Sequence, residues 1–272
     1  MIIIIIGCTS NICKIRVFKN LNLINDKIDK VFCLSDKQLS QIEWQQYILS
    51  LDIPNNKIIN KMEYIYSQYD LNSYEDKFKK LLSQKCYIYV STPPVCYRDL
   101  LILGKKYEQI NLMLEKPLSL NYYDYIKIEP LLSPRVSVID HFLYKRDIMN
   151  LIDHYQETKI NNISLRFLYT NDVEDRLGYF DNVGFFIDMF QSHFLSIIYL
   201  LVGENINKIF DSKIKINRKQ YLGYGGNNKE SDTYFYIEIN NFDFNLIIES
   251  GKSMKNCKRE IIINDNIHAI GN

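Results

Sequence analysis

Met1-Ile-Ile-Ile-Ile-Ile6-Gly7-Cys8-Thr9-Ser10-Asn11-Ile12-Cys13 is the stretch whose reading decides the fold. Five consecutive isoleucines suit a strand covered on both faces, because a strand with one wet face would alternate. Gly7 ends the run and an amphipathic pattern follows, so the segment reads as strand, turn, helix. A glycine-bearing turn that opens a helix aims backbone N–H groups and the helix dipole at a pyrophosphate. Ser10 and Cys13 stand where such turns usually carry further glycines. A plain strand-to-helix connection would look similar, and the segment alone leaves both readings open. The apolar run is much shorter than the roughly 20 residues that cross a bilayer, and it lacks a basic flank.

Outward from this start, short apolar runs alternate with longer amphipathic ones. Lys30–Leu34, Cys86–Val90 and Ile110–Leu114 have strand composition, with helical patterns over 12–22, 38–50, 72–83 and 95–107. Strand–helix alternation predicts βαβ units and a doubly wound parallel sheet. The character changes after about residue 125. A strand-like run precedes Asp140, a helix is predicted over Arg146–Tyr155, a strand over 162–169, and a long helix over 181–202 stopped by Gly203. Strands follow at 214–216, 233–239, 242–249 and 260–263, with Asn240-Asn241 as a hairpin turn. The expectation is α/β: a parallel-sheet domain over 1–139, then an α+β domain with a mainly antiparallel sheet over 140–272.

Bulk numbers exclude several classes. Among 272 residues, 33 basic and 32 acidic side chains nearly cancel to a net +1, so the basic face of a nucleic-acid binder is not expected. Six cysteines at 8, 13, 33, 86, 96 and 257 have neither metal-knuckle spacing nor the density of a secreted disulfide scaffold. They read as free thiols in a reducing, cytoplasmic setting, with no metal and no membrane partner expected.

Four pieces stand where chemistry is done in such folds. The turn carries Gly7, Thr9, Ser10, Asn11 and Ile12. Asp36, after the second strand, can accept from an adenosine ribose, though it reads equally as a helix cap or loop charge. Tyr89-Val90-Ser91-Thr92-Pro93-Pro94 leaves the sheet sharply at its carboxyl edge, since proline fixes φ and removes a donor. Leu114-Glu115-Lys116-Pro117 follows, with an ammonium at a strand end.

In that order, these pieces resemble the glucose-6-phosphate dehydrogenases and, in part, the wider sugar oxidoreductases related to glucose–fructose oxidoreductase. Val138-Ile139-Asp140-His141-Phe142-Leu143-Tyr144-Lys145 is similar to the dehydrogenase string Arg-Ile-Asp-His-Tyr-Leu-Gly-Lys. Residues 173–204, VEDRLGYFDNVGFFIDMFQSHFLSIIYLLVGE, resemble the family's central helix and the approach to it. KQYLGY, the strands of 231–254 with Gly251-Lys252, and KREIII follow its late strands. The resemblance implies a Rossmann-type first domain and a hydride-transfer reaction on a sugar phosphate. It makes His193 the general base, Asp140 its orienting carboxylate, and Lys116 a group at the substrate hydroxyl or nicotinamide. It gives His141, Lys145 and Lys252 to a phosphate pocket and Asp188 to sugar hydroxyls. Gly7, Thr9, Ser10, Asn11, Ile12, Asp36, Tyr89, Thr92, Pro93, Glu115 and Lys116 would meet the cofactor. A second Ile-Asp-His-aromatic string, Ile152-Asp153-His154-Tyr155, sits inside a predicted helix without the following lysine, so the first copy is preferred.

The match departs in places. Phe142 replaces a phosphate-binding tyrosine and Tyr144 a glycine, and about ten residues that help hold the sugar are missing after Lys145. Asp36 stands where NADP-using members carry an arginine, which favours NAD over NADP. The chain runs only a short way past Lys252, which leaves a smaller surface for a homodimer through the second-domain sheet. The expected function is therefore oxidation of a relative of glucose 6-phosphate. The alternatives are a sugar oxidoreductase acting at another carbon or on an unphosphorylated or nucleotide-linked sugar, and a non-catalytic cofactor-binding homologue.

Overall fold

The computed structural model describes residues 1–51, 53, 57–67, 79, 82–173, 176–210, 212–240 and 244–271. It divides into two compact units, Met1–Ile139 and Asp140–Asn272.

In the first unit β1 (Ile2–Ile6), β2 (Lys30–Ser35), β3 (Met62–Tyr66), β4 (Cys86–Val90), β5 (Ile110–Glu115) and β6 (Val136–Ile139) form one sheet. Its order is β3-β2-β1-β4-β5-β6, and every ladder is parallel. β1 is central, with Ile6 paired to Leu34 on one side and Val90 on the other. Ile4 and Ile6 join a core with Leu34, Ile88 and Leu100, while Ile3 and Ile5 pack with Phe18, Trp44 and Ile48. Each buried isoleucine contributes on the order of 1.5–3 kcal/mol, which is why the strand is apolar throughout. The winding reverses between β1 and β4, and the carboxyl ends of such a strand pair are where open α/β sheets receive their ligands.

The helices match their patterns with local adjustments. The 12–22 pattern becomes a π-helical stretch, Cys13–Val17, followed by the α-helix Phe18–Leu23. The 38–50 pattern starts at Gln41 because Ser40 caps it. The Glu43 N–H donates to Ser40 Oγ at 3.2 Å, and the Ser40 N–H to Glu43 Oε2 at 2.7 Å. The 95–107 pattern becomes the helix Tyr97–Lys106, and most of the 72–83 pattern lies outside the described residues. β3 was not anticipated. It is an edge strand, mostly half-exposed, and its Met-Glu-Tyr-Ile-Tyr sequence lacks the continuous apolar run of its neighbours.

Burial dominates the thiols here. It pushes the Cys13 thiol up from 9.0 to about 12, against hydrogen bonding from Ser10 and Ser91 that favours the thiolate. The unfolded chain ionises this thiol near pH 9. The fold keeps its full advantage below that value and loses about 1.4 kcal/mol per pH unit above it, up to about 12. The melting temperature should therefore fall steeply with pH above 9, and Cys13→Ala should flatten that slope. Equal slopes in the two proteins would refute the assignment.

In the second unit β7 (Asn162–Leu168), β8 (Lys213–Lys219), β9 (Tyr234–Asn240), β10 (Asn245–Gly251), β11 (Lys258–Ile263) and β12 (Asn266–Ala269) form a sheet ordered β12-β11-β7-β10-β9-β8. The β7–β10 ladder is parallel and the other four are antiparallel. β7 and β9 alternate in burial, with Ile163, Leu165, Phe167, Phe235, Ile237 and Ile239 facing the helices. The Asn240↔Asn245 pairing is that of a hairpin, while Asn241, Phe242 and Asp243 lie outside the described residues. β12 was not anticipated. It follows β11 through Asn264 (φ 48°) and Asp265 (φ 69°), the left-handed pair that a two-residue hairpin turn needs and that Asn and Asp tolerate.

The predicted 181–202 helix begins earlier and is not uniform. It comprises Leu177–Phe186, a π-helical stretch Ile187–Phe194, and Leu195–Val202, with Gly203 ending it at φ 59°. Gly184 (φ 74°, ψ 157°) interrupts the first part. The buried Asp232 carboxylate bridges the break, accepting from the Phe186 N–H and from Arg218, each at 2.6 Å. No membrane-length stretch was anticipated from sequence. Yet the helical run Leu177–Ile209, with a hydropathy of 1.6, is long and apolar enough to cross one. Half of that window is buried in the protein, where Phe180, Phe185, Phe194, Ile197 and Ile198 join the core.

Candidate active site

Asp140 and His193 are brought together within the second unit. His193 lies on the π-helical stretch, and its Nδ1 is 2.5 Å from Asp140 Oδ1. Asp140 is 7% exposed and His193 1%. A carboxylate only accepts, so the Nδ1–H is the donor, and in the neutral ring that leaves the lone pair on Nε2. The same Oδ1 accepts the Phe142 N–H at 2.9 Å, which fixes the carboxylate to its own turn. Asp140 Oδ2 is buried and has no hydrogen-bond partner among the described residues.

Rings hold the imidazole from two sides. Phe142 lies 3.9 Å from it, tilted by 31°, and His141 stands edge-on at 4.9 Å. Phe142 packs in turn on Phe167, and Phe167 on Phe194. One ligand atom from each of Asp140, His141 and His193 falls within 4.8 Å of the others, so this cluster could hold a cation as well as a proton.

Asp188 precedes His193 by five residues on the same stretch and is also buried. It accepts from the Tyr179 hydroxyl at 2.9 Å, and the Arg176 guanidinium approaches it at 3.9 Å while stacking on Tyr179 and Phe180. Lys252 Nζ sits 4.7 Å above the ring of Tyr169. Lys145 Nζ donates to the Gly271 carbonyl at 2.8 Å and lies 5.2 Å from the Phe142 ring. The second Ile-Asp-His-aromatic string lies in the helix Arg146–Tyr155, with the buried Tyr155 hydroxyl 3.0 Å from His268 Nε2. Arg176, Tyr179, Tyr169 and the ring role of Phe142 were not anticipated. The three-residue spacing of Arg176 and Tyr179 on a helix face, and Tyr169 continuing the inward alternation of β7, were the available signals.

In the first unit, Gly7 has φ 82°, and a Cβ there would stand 2.6 Å from the Ser91 carbonyl oxygen. Its turn is tied to β4, since Ser10 Oγ donates to Ser91 Oγ at 2.9 Å and Ser91 Oγ to the Gly7 carbonyl at 2.9 Å. Thr9, Ser35 and Asp36 form a polar chain at the ends of β1 and β2, with 2.8 Å between Thr9 Oγ1 and Ser35 Oγ and 3.2 Å from Ser35 Oγ to Asp36 Oδ1. Asn11 and Ile12 begin the helical segment. Thr92 is buried, and Pro93 is extended (φ −56°, ψ 147°) before the helix Tyr97–Lys106. Glu115 is buried, where Oε1 accepts from the Tyr89 hydroxyl at 2.6 Å and its carbonyl from Tyr97 at 2.7 Å. Burial, then the Glu115 charge, drives the Tyr89 phenol far above its ordinary range. The Lys116 N–H donates to the Ile139 carbonyl at 3.3 Å, and the Lys116–Pro117 peptide is cis. A glycine whose Cβ space is closed, at the carboxyl end of the central strand where the winding reverses, suits the close backbone approach of a dinucleotide.

Fold and site define a two-unit α/β protein in which a parallel dinucleotide-type sheet is followed by a mixed sheet carrying a buried Asp–His pair. Comparison with known proteins narrows the class. Residues 149–223 match the family model "Glucose-6-phosphate dehydrogenase, C-terminal domain". The glucose-6-phosphate 1-dehydrogenase of Cyberlindnera jadinii is 24% identical over 260 residues, covering 79% of this chain and 52% of the relative. That of Borreliella burgdorferi is 27% identical over 252 residues, covering 79% and 53%. The chain thus spans about half the length of the curated relatives it matches. Among solved structures, the glucose-6-phosphate 1-dehydrogenase of Mycobacterium avium superposes with a TM-score of 0.73 at 17% identity, covering 100% of this chain and 73% of that one. A putative myo-inositol dehydrogenase from Sinorhizobium meliloti gives 0.69 at 11%, covering 100% and 76%. The chain is similar in sequence to glucose-6-phosphate dehydrogenases and shares its fold with a wider set of solved structures.

Proposed function

We propose that this protein is a nicotinamide-dependent oxidoreductase that oxidises a sugar phosphate related to glucose 6-phosphate. The observation that carries the reading is the buried Asp140–His193 pair at 2.5 Å. Oxidising a carbinol needs a base for the hydroxyl proton, and a histidine with Nδ1–H held by a carboxylate presents Nε2 for it. His193 takes that proton at Nε2, while Asp140 stabilises the imidazolium and Phe142 and His141 keep the ring from turning. Water is kept from the pair by its burial, which strengthens the charge interaction.

A nicotinamide dinucleotide, when bound, supplies the hydride acceptor. Gly7, Thr9, Ser10, Asn11 and Ile12 would hold its pyrophosphate, and Thr92, Pro93 and the backbone of Tyr89, Glu115 and Lys116 the turn beyond. Asp36 would take the ribose hydroxyls and repel a 2′-phosphate, which favours NAD over NADP. Lys116 serves the reacting hydroxyl, Asp188 the other sugar hydroxyls, and His141, Lys145 and Lys252 the phosphate. A cytoplasmic enzyme, paired with a second copy through the outer face of the second sheet, completes the reading. A second reading, an unphosphorylated or nucleotide-linked sugar, draws on Phe142 and on Lys145 binding the Gly271 carbonyl instead of standing open. The test is reduced-nicotinamide absorbance over hexose, amino-sugar and heptose phosphates and their unphosphorylated forms, with NAD and NADP. Turnover of phosphorylated sugars with NAD is expected. Turnover of the free sugars alone would select the second reading.

A further inference from the structure

Gly184 divides the long helix of the second unit, and the groups that close the division come from elsewhere in the chain. At φ 74° and ψ 157° it leaves the helical region, so backbone groups on either side lose their partners one turn away. Three atoms of Ser231-Asp232, just ahead of β9, replace them. Ser231 Oγ donates to the Phe180 carbonyl before the break at 2.5 Å. After it, the Phe185 N–H donates to the Asp232 carbonyl at 3.1 Å and the Phe186 N–H to Asp232 Oδ2 at 2.6 Å. Asp232 thus acts as the N-cap of the segment that follows, supplied from another part of the chain. Its negative charge also suits the positive end of the segment it opens.

The segment opened at Phe185 carries both Asp188 and His193. Asp188 stands after the break, but its partners stand before it: the Tyr179 hydroxyl at 2.9 Å and the Arg176 guanidinium at 3.9 Å. The angle of the chain at Gly184 therefore decides whether those contacts form. That angle is set by Asp232, whose carboxylate is itself held. Asp232 is 3% exposed, and Arg218 of β8 donates to its Oδ1 at 2.6 Å while lying 5.2 Å from the Phe186 ring. Phe186 packs on Phe235 of β9, and Phe235 pairs with Arg218 across the β8–β9 ladder. Cap, strand and helix are thereby fastened to one another. Burying a charge carries a desolvation cost that a local serine or asparagine cap would avoid. What a cap on another strand adds is a fixed place for the segment against the sheet.

We propose that Asp232, anchored by Arg218, is a positioning residue that sets the helical segment carrying Asp188 and His193 in its working place. The proposal rests on the sugar-phosphate reading for what those two residues do, though not for where they stand. The test compares the wild type with Asp232→Ala and with Asp232→Asn, whose carboxamide oxygen can still accept the Phe186 N–H. Nitrogen–proton NMR spectra of the imidazoles report the His193 Nδ1–H directly, and steady-state rates over the sugar phosphates report the site in action. In Asp232→Ala the His193 resonance should move and kcat/KM for the sugar should fall about 10- to 100-fold, with NAD affinity unchanged. Asp232→Asn should restore the resonance and most of the rate. A folded Asp232→Ala protein with the wild-type His193 resonance and kcat/KM overturns the proposal and leaves Asp232 a stabilising cap. If Asp232→Ala does not fold, Arg218→Gln, at a half-exposed position, releases the carboxylate and takes the same measurements. The same displacement is expected there, and an unmoved resonance with unchanged kcat/KM overturns the proposal. A wild type that oxidises no sugar phosphate, while Asp232→Ala still moves the His193 resonance, removes the proposed reaction and leaves the positioning role standing.

Discussion

His193→Asn should lower kcat/KM for the oxidised sugar by about 10²- to 10⁴-fold while leaving the affinity for the nicotinamide cofactor unchanged. The exchange is chosen because asparagine can still offer an N–H to Asp140 Oδ1, which sits 2.5 Å from the imidazole in the native protein. A smaller side chain would instead leave a void between Phe142 and His141 and confuse chemistry with collapse. What asparagine cannot offer is an unprotonated ring nitrogen. Each tenfold loss corresponds to about 1.4 kcal/mol of activation free energy. Asp140→Asn tests the second half of the pair by a different route. Its carboxamide can donate to Nδ1, which moves the proton to Nε2 and leaves nothing to accept from the substrate; the same exchange in serine proteases costs roughly 10⁴. Steady-state rates with cofactor titrations by fluorescence measure both variants. Near-normal turnover in His193→Asn would remove the base. A large loss there with little loss in Asp140→Asn would remove the orienting role alone.

How much of this could be read in the residues depends on whether the information was local. β1 was legible because a strand buried on both faces leaves an unbroken apolar run, and Ile2–Ile6 is one. β3 was not, because an edge strand needs no such run, and Glu63 is exposed there. The hairpin into β12 turned on Asn264-Asp265, a signal as short as two residues and easily lost among so many asparagines. In the helix over 177–202 the amphipathic pattern was visible, but the break at Gly184 was not. That break is held by Asp232, 48 positions along the chain, through a hydrogen bond no periodicity encodes. The candidate site divides the same way. Asp140 and His193 were found through a resemblance in short strings, and their contact is a consequence of the fold. Arg176, Tyr179 and Tyr169 lie one shell further out, where spacing along the chain says little about which ring meets which charge. Lys145, expected in a phosphate pocket, also donates to the carbonyl of Gly271, 126 positions away, a contact that nothing local in the sequence signals.

Gly7→Ala should destabilise the first unit by about 2–6 kcal/mol, a large share of the roughly 5–15 kcal/mol that holds a domain together. Two costs add at this position. The backbone has φ 82°, where an L side chain is strained by about 1–3 kcal/mol. The new Cβ would also stand 2.6 Å from the carbonyl oxygen of Ser91 and 2.8 Å from its carbonyl carbon. Both atoms are backbone, so no rotamer relieves the clash, and overpacking of this kind costs about 1–3 kcal/mol more. Relief requires the end of β1 to part from the end of β4, and those are the two strands between which the winding reverses. The Ser10–Ser91 and Ser91–Gly7 hydrogen bonds would lengthen with it, so the crevice proposed for the dinucleotide should open and cofactor affinity should fall together with stability. Gly178→Ala is the control. That glycine lies in the helix Leu177–Phe186 with nothing within 4 Å of a built Cβ, and alanine there should be neutral or mildly stabilising. Urea unfolding with a probe in each unit separates the cases, since Trp44 reports the first and lies in its core. A Gly7→Ala protein within about 0.5 kcal/mol of wild type, with unchanged cofactor affinity, would mean that the turn has room its packing does not show.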